Sequence, residues 1–177
     1  TRPLGVRGVV NPSPATGAAD PETPESARDT APGTVKTLGR IVSLTDYADF
    51  ARGFAGVGKA QARELWSGQR KVVHVTVAPE SDAELSDSDP LLRNLGDAME
   101  GLRDPARPML LAPYARRYFA LTARIVPDPA HREADVLLWA RREIEARFGY
   151  EARALAQSVS AAEVIAALHA APGVVSV

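Results

Sequence analysis

The sequence predicts an α+β protein, with two small helix-and-sheet units preceded by an extended proline-rich arm. Three observations carry that prediction. Prolines crowd the first 37 residues, where Pro3, Pro12, Pro14, Pro21, Pro24 and Pro32 fall. Beyond them, apolar residues recur with helical spacing in some stretches and alternate with period two in others. The two periodicities follow one another along the chain, which sets the expected boundaries at 1–37 for the arm, 38–115 for the first unit and 116–177 for the second. The second is expected to be truncated at its C-terminal strand.

In the arm, each proline fixes φ, removes a backbone donor and pushes the preceding residue toward extended geometry. One short helix is expected at Thr23–Thr30, with Thr23 as cap and Pro24 at the first helical position. The first unit opens with a helix over Leu44–Phe54, capped by Thr45, with Tyr47, Phe50, Ala51 and Phe54 at helical spacing. Gly56 stops it. A strand over Val57–Trp66, a turn at Ser67-Gly68 and a strand over Lys71–Val77 read as a hairpin, with Val73, Val75 and Val77 on one face and Val72, His74 and Thr76 on the other. An acidic loop, Glu80–Pro90, leads to a helix over Leu91–Leu102 with Leu91, Leu92, Leu95, Met99 and Leu102 on its apolar side. A short strand is expected at Met109–Ala112.

The second unit begins with an expected strand over Arg117–Val126, with Phe119, Leu121, Ala123 and Ile125 on one face and Pro127 and Pro129 closing it. The helix over Glu133–Phe148 carries Val136, Ala140, Ile144 and Phe148 in register and ends at Gly149 as a C-terminal cap. A last helix, Ser160–Ala170, has capping-box spacing at Ser160 and Glu163. It stops at Pro172-Gly173, and Val174–Val177 starts a strand. The helix, Gly56-Val57, strand step of the first unit is echoed by the helix, Gly173-Val174, strand step of the second. One reading is a duplicated ferredoxin-like or related unit; the other is that any helix ending in glycine before a strand looks this way.

The composition is that of an ordinary globular protein, 45% hydrophobic and 24% charged over 177 residues, with a formal net charge of −1. No global basic field argues for nucleic acid. The absence of cysteine excludes disulfides, thiolate metal sites and cysteine nucleophiles. No apolar run approaches the roughly 18 residues of a membrane span. The opening Thr1–Leu4 lacks Met and an apolar leader segment, and the last residues fall inside an apolar run. Both fit a fragment of a longer protein.

Candidate chemistry is sparse. Gly53, Gly58 and Lys59 have the spacing of a phosphate-binding loop, but Ala60 stands where the Mg²⁺-binding hydroxyl belongs. Such a loop also follows a strand and opens a helix, so that its amides face phosphate; here the order is reversed, and a helix stop and turn is the simpler reading. His74, His131 and His169 are scattered, without the i, i+4 spacing of a helical metal site. Asp82, Glu84, Asp87 and Asp89 alternate with small residues but lack the glycine and the terminal Glu of a calcium loop, which leaves a solvated acidic loop. No Gly-x-Ser-x-Gly elbow occurs. Arg116 and Arg117, with Tyr114, Tyr118 and Phe119, could stack single strands, but alternation along a strand explains them more simply. Arg141, Arg142 and Arg147, interleaved with Glu143 and Glu145, read as the wet face of a helix. Trp66 and Trp139 are expected in the core, although Trp is also enriched at interface hot spots. The expectation is therefore a chain with no catalytic, cofactor-binding or metal-binding residues.

One resemblance orders these negatives. Asn11-Pro12-Ser13-Pro14-Ala15-Thr16-Gly17-Ala18-Ala19-Asp20-Pro21-Glu22 resembles the Asn-Pro-x-Pro-Ala-x-Gly-Gly-x-Asp-Pro-Glu signature of baseplate assembly proteins, the J-like family of contractile phage tails and extracellular contractile injection systems. Arg40 to Tyr47 with Phe50-Ala51 resembles that family's Arg-x-Val-Ser-x-x-Asp-Tyr…Phe-Ala pattern, and Gly56-Val57-Gly58-Lys59-Ala60 its strand entry. Ser160 to Ile165 and Pro172-Gly173-Val174 look like its ending. Ala18, and Ala156 within Leu155-Ala156-Gln157, stand where glycine is usual, which questions the local turns, since φ > 0 is harder for Ala. Family members are longer, so the chain looks like their C-terminal portion.

The resemblance implies a wedge component of the baseplate that acts through subunit contacts and not catalysis. Its partners would be other wedge subunits and tube, sheath or spike-hub proteins, with no nucleic acid and no membrane insertion. It would assemble in the cytoplasm and then form part of a tail or contractile particle. The arm could lie along a partner and order on docking. A protein-binding adaptor unrelated to tail particles is the alternative, and a nucleotide-dependent enzyme using Gly58-Lys59 is a third reading.

Overall fold

The structure, a computed structural model, describes residues 40–177 together with Pro24. Apart from Pro24, the arm, its expected helix at Thr23–Thr30 and the Asn11–Glu22 run lie outside the described residues. The α+β class holds: the described chain forms four helices and two small sheets.

Helix α1 spans Leu44–Arg52, and its cap is Ser43 instead of Thr45. A carboxylate three residues on decides the matter. Ser43 Oγ accepts from the Asp46 amide at 3.1 Å while Asp46 Oδ2 accepts from the Ser43 amide at 2.8 Å. Thr45 has only Ala48 at that offset and could not complete the box. The Ser43 amide holds the Asp46 carboxyl below its ordinary pKa. The helix ends at Gly53, and Gly56 at φ +87° turns the chain into strand β1, Val57–Ser67.

Strands β1 and β2, Arg70–Pro79, form the expected antiparallel hairpin around Gly68 at φ +69°. Val73, Val75 and Val77 are buried, as their alternation predicts. Helix α2, Pro90–Glu100, starts at Asp89, whose side chain accepts from the Leu91 amide at 2.9 Å, with proline at the helix start. Its i, i+3, i+7 stripe of Leu92, Leu95 and Met99 is buried. Strand β3, Met109–Pro113, then pairs with β2 in parallel, giving the order β1-β2-β3. Tyr47 and Ala51 of α1, the three β2 valines and the α2 stripe make one hydrophobic cluster together with Ile41, whose amide donates a hydrogen bond to the Leu102 carbonyl at 3.0 Å.

Trp66 departs from expectation. It lies on the hairpin's inner parity, opposite Lys71, but the cluster covers only the Val73–Val77 stretch of β2, so the tip overhangs and Trp66 is 67% exposed.

The expected strand over Arg117–Val126 is reduced to its last residue. Residues 114–125 have no ladder, and β4 is Val126–Pro127, paired antiparallel with β5, Val174–Ser176. Alternation marks a chain fit for pairing; a strand also needs a neighbour, and no described strand lies beside 117–125. Helix α3 occupies the expected Glu133–Phe148. Its closing Gly149 is extended, with φ −66° and ψ 166°, instead of left-handed. The reason for glycine is space, since a Cβ there would sit 2.6 Å from the Glu145 carbonyl oxygen. Helix α4, Ala161–His169, carries the expected capping box of Ser160 and Glu163. Ala140, Val164, Leu168 and Ala171, flanked by Trp139, Ile144 and Phe148, form a second hydrophobic cluster.

The echo between the units holds at the helix–glycine–strand step, where Gly56 and Gly173 both have positive φ. Among the described residues it does not reach the sheets: one has three strands with a parallel pair, the other two antiparallel strands.

Two stability outcomes follow. Ala156 adopts φ 57°, the left-handed conformation that favours glycine. Ala156→Gly should gain about 0.5–1 kcal/mol, as relief of the left-handed penalty of about 1–2 kcal/mol outweighs the added unfolded-chain entropy; chemical denaturation measures it. The Ser160 amide holds the Glu163 carboxyl below its ordinary 4.5. Its stabilising contribution is therefore full above pH 4.5 and lost as pH falls through the depressed folded value. Melting profiles against pH should show a shallower acid slope for Glu163→Gln than for the parent chain.

Candidate functional site

The stretch from Gly53 to Ala60, whose spacing approaches a phosphate loop, is built as a bulged strand entry. The β1–β2 register slips between Val57 and Lys59, leaving Gly58 as the extra residue. Glycine is required by closeness: a Cβ on residue 58 would lie 2.6 Å from both Glu80 Cα and the Pro79 carbonyl oxygen. The bulge also changes parity. Val57, Ala60 and Ala62 pack with the first cluster, whereas Lys59 points the other way, toward the segment after α3.

There the Lys59 ammonium donates to the carbonyls of Tyr150 and of Arg153, the latter at 2.7 Å, and stands 3.9 Å from the centroid of the Tyr150 ring. Burial lowers its pKa from the ordinary 10.5. Tyr150 in turn donates its hydroxyl to the Pro79 carbonyl at the end of β2, and burial, followed by the neighbouring Tyr114, pushes it up to about 12. The Tyr114 and Tyr150 rings lie 5.9 Å apart at 56°. Lys59 thus spends its donors on backbone carbonyls and faces an aromatic ring. Its strand leads away from a helix, so no helix N-terminus is offered to a phosphate.

A second polar cluster adjoins this one. Tyr114 donates to the Ala83 carbonyl at 2.9 Å and accepts from Arg116 Nε at 3.0 Å, while Arg116 pairs with Asp82 at 3.2 Å. The hydrogen bonds with Tyr114 and Tyr118 raise the Arg116 pKa. Arg116 is thereby fastened to the acidic loop, whereas Arg117, Tyr118 and Phe119 are all exposed, and the strand alternation that would turn Phe119 inward does not form. Phe119 leans edge-on to Phe148 at 5.9 Å. An open cleft of about 510 Å³ lies between the loop, at Glu84, Leu85 and Asp89, and Tyr114 and Tyr118.

The other sequence candidates fall on separate elements. His74 contacts Thr76 on β2, His131 pairs with Asp128 and meets Trp139 edge-on, and His169 ends α4. Asp82 and Asp89 are engaged by Arg116 and the α2 cap, and no cluster of three metal-ligating side chains occurs among the described residues. Trp139 packs on the second cluster, whereas the β1–β2 tip presents Leu65 and Trp66 to solvent, with Trp66 Nε1 donating to the Gly68 carbonyl at 2.8 Å. Sequence reasoning missed Tyr150 and Arg153 altogether. They stand 91 and 94 residues from Lys59, and no periodicity reports a contact at that range.

These features define an α+β scaffold whose shaped polar groups are directed at its own backbone and whose exposed aromatics face outward. Residues 39–112 match the model of the Baseplate J-like central domain, which supports a baseplate J-like assignment and suggests a structural role in a phage baseplate. The motifs at Arg40–Tyr47 and Gly56–Ala60 lie within the match; those at 11–22, 160–165 and 172–174 lie outside it. No curated protein matches the chain. Among the described residues, no helix is long and apolar enough to cross a membrane.

The bulge makes a sharp prediction. Gly58→Ala should cost about 1–3 kcal/mol, because its Cβ meets backbone that cannot rotate aside. Denaturant titration beside Gly101→Ala, where a Cβ meets nothing within 4 Å, checks it.

Proposed function

We propose that the chain is a wedge component of the baseplate in a phage tail or phage-like contractile injection particle, working through subunit contacts and not catalysis. The observation that carries this reading is the match of residues 39–112 to the Baseplate J-like central domain. Two features support it. Trp66, with Leu65, is presented on an overhanging hairpin, the placement of an interface anchor and not of a core residue. Residues 115–125 offer a backbone without ladder partners to a neighbour.

In this reading residues 38–115 and 116–177 are two domains and 1–37 is an arm that orders along a partner. The partners are other wedge subunits and the tube, sheath or spike-hub proteins. Assembly takes place in the cytoplasm, and the protein stays in the finished particle. It holds neighbours in a closed ring, and contraction rearranges those contacts.

Mass spectrometry of purified sheathed particles tests this. The chain is expected at a low, fixed ratio to sheath protein. Removal of residues 1–37, or Trp66→Ala, should abolish or sharply reduce incorporation while the melting temperature of the body is kept. Absence of the chain from intact particles would sink the reading and leave an adaptor module in its place.

A further inference from the structure

The two hydrophobic clusters do not mix. One draws on residues between Ile41 and Leu111, the other on residues between Ile125 and Val174. Between them runs the ladder-free stretch 114–125. What joins the two bodies is a small polar and aromatic seam at the bulged end of the first sheet. Lys59 holds the carbonyls of Tyr150 and Arg153, the Tyr150 hydroxyl holds the Pro79 carbonyl, and the Tyr114 ring leans on Tyr150.

Such a seam differs physically from a shared core. A core resists separation through area removed from water, spread over many side chains. Here a few directed contacts made by Lys59, Tyr150 and Tyr114 carry the junction, and water can replace its hydrogen bonds. The ammonium keeps its hydrogen bonds by exchanging carbonyls for solvent, and the carbonyls do the same. On the second body, Tyr150 and Arg153 lie between the end of α3 and the start of α4, so the carbonyls that Lys59 holds belong to neither helix.

We propose that Lys59 is a release pin: with Tyr150 it locks two otherwise independent bodies into one orientation, and its withdrawal lets the second body swing about residues 117–125, beyond the fastened Arg116. Gly58 is the positioning element, since the bulge turns Lys59 outward. The inference goes beyond the assembly reading and stands without it, because it concerns the motion of the isolated chain.

The absence of native cysteine permits a direct test. Asp97→Cys on α2 and Arg142→Cys on α3, both exposed, place one spin label on each body of the full chain, and pulsed EPR reads the distance between them. The otherwise unaltered labelled chain should give one narrow distribution. Lys59→Met, which keeps the apolar stem, and Tyr150→Phe, which removes only the hydroxyl, should each broaden it severalfold. Lys71→Met on the exposed hairpin should leave it narrow. In both pin variants the amides of Val75 and Val164, one in each cluster, should keep their slow hydrogen exchange. Unchanged narrow distributions in both pin variants would overturn the proposal. So would joint loss of protection at both amides, which would make the seam part of a single cooperative core. Should Lys59→Met fail to fold, Tyr150→Phe decides alone, since it leaves every apolar contact in place.

Discussion

Strand β2 is the constraint on which the rest of the first sheet depends. It is paired on both edges, antiparallel to β1 and parallel to β3, and its Val73, Val75 and Val77 face the two helices. A parallel partner cannot be reached by a tight turn, so the chain must cross over, and α2 is that crossover. The acidic loop, the Asp89 cap and the Leu92, Leu95, Met99 stripe exist where they do because β3 has to return beside β2 in the same direction. The hairpin tip, by contrast, outruns the helices that cover the sheet, and its side chains are left to water.

At the other end of the same strand, a single extra residue in β1 reorganises the surface. The Gly58 bulge lets one strand send Val57 into the core and Lys59 away from it within two residues, which a regular pleat forbids. Local backbone geometry thereby decides a contact with a segment about 90 residues distant.

The sequence made local features legible where the deciding interaction is local. Helix α3 lies where its periodicity places it, the Ser160 and Glu163 box forms, and the β2 valines are buried. Thr45 qualifies as a cap by residue type alone, whereas Ser43 caps the helix because Asp46, three residues on, completes the box. Features that depend on a distant neighbour were illegible. The strand over Arg117–Val126 has the right alternation but lacks a paired edge, and Trp66 has core chemistry but no helix above it. The resemblance to baseplate proteins was readable through Arg40–Tyr47 and Gly56–Ala60, because those residues specify a cap, a turn and a bulge. The contacts of Lys59 were not, since they join elements that no short motif spans.

The ladder-free stretch has a consequence for handling the protein in concentrated solution. From Tyr118 to Ala123 it presents aromatic and aliphatic side chains on a backbone without ladder partners, with Tyr118 84% exposed. Chains carrying such a segment tend to stack edge to edge into insoluble β-structure. Arg117 and Arg124 bracket it, both exposed. Stacked copies would bring like charges into register at each end, a repulsion that opposes growth and that high salt weakens. The two arginines thus stand where gatekeepers of the segment would.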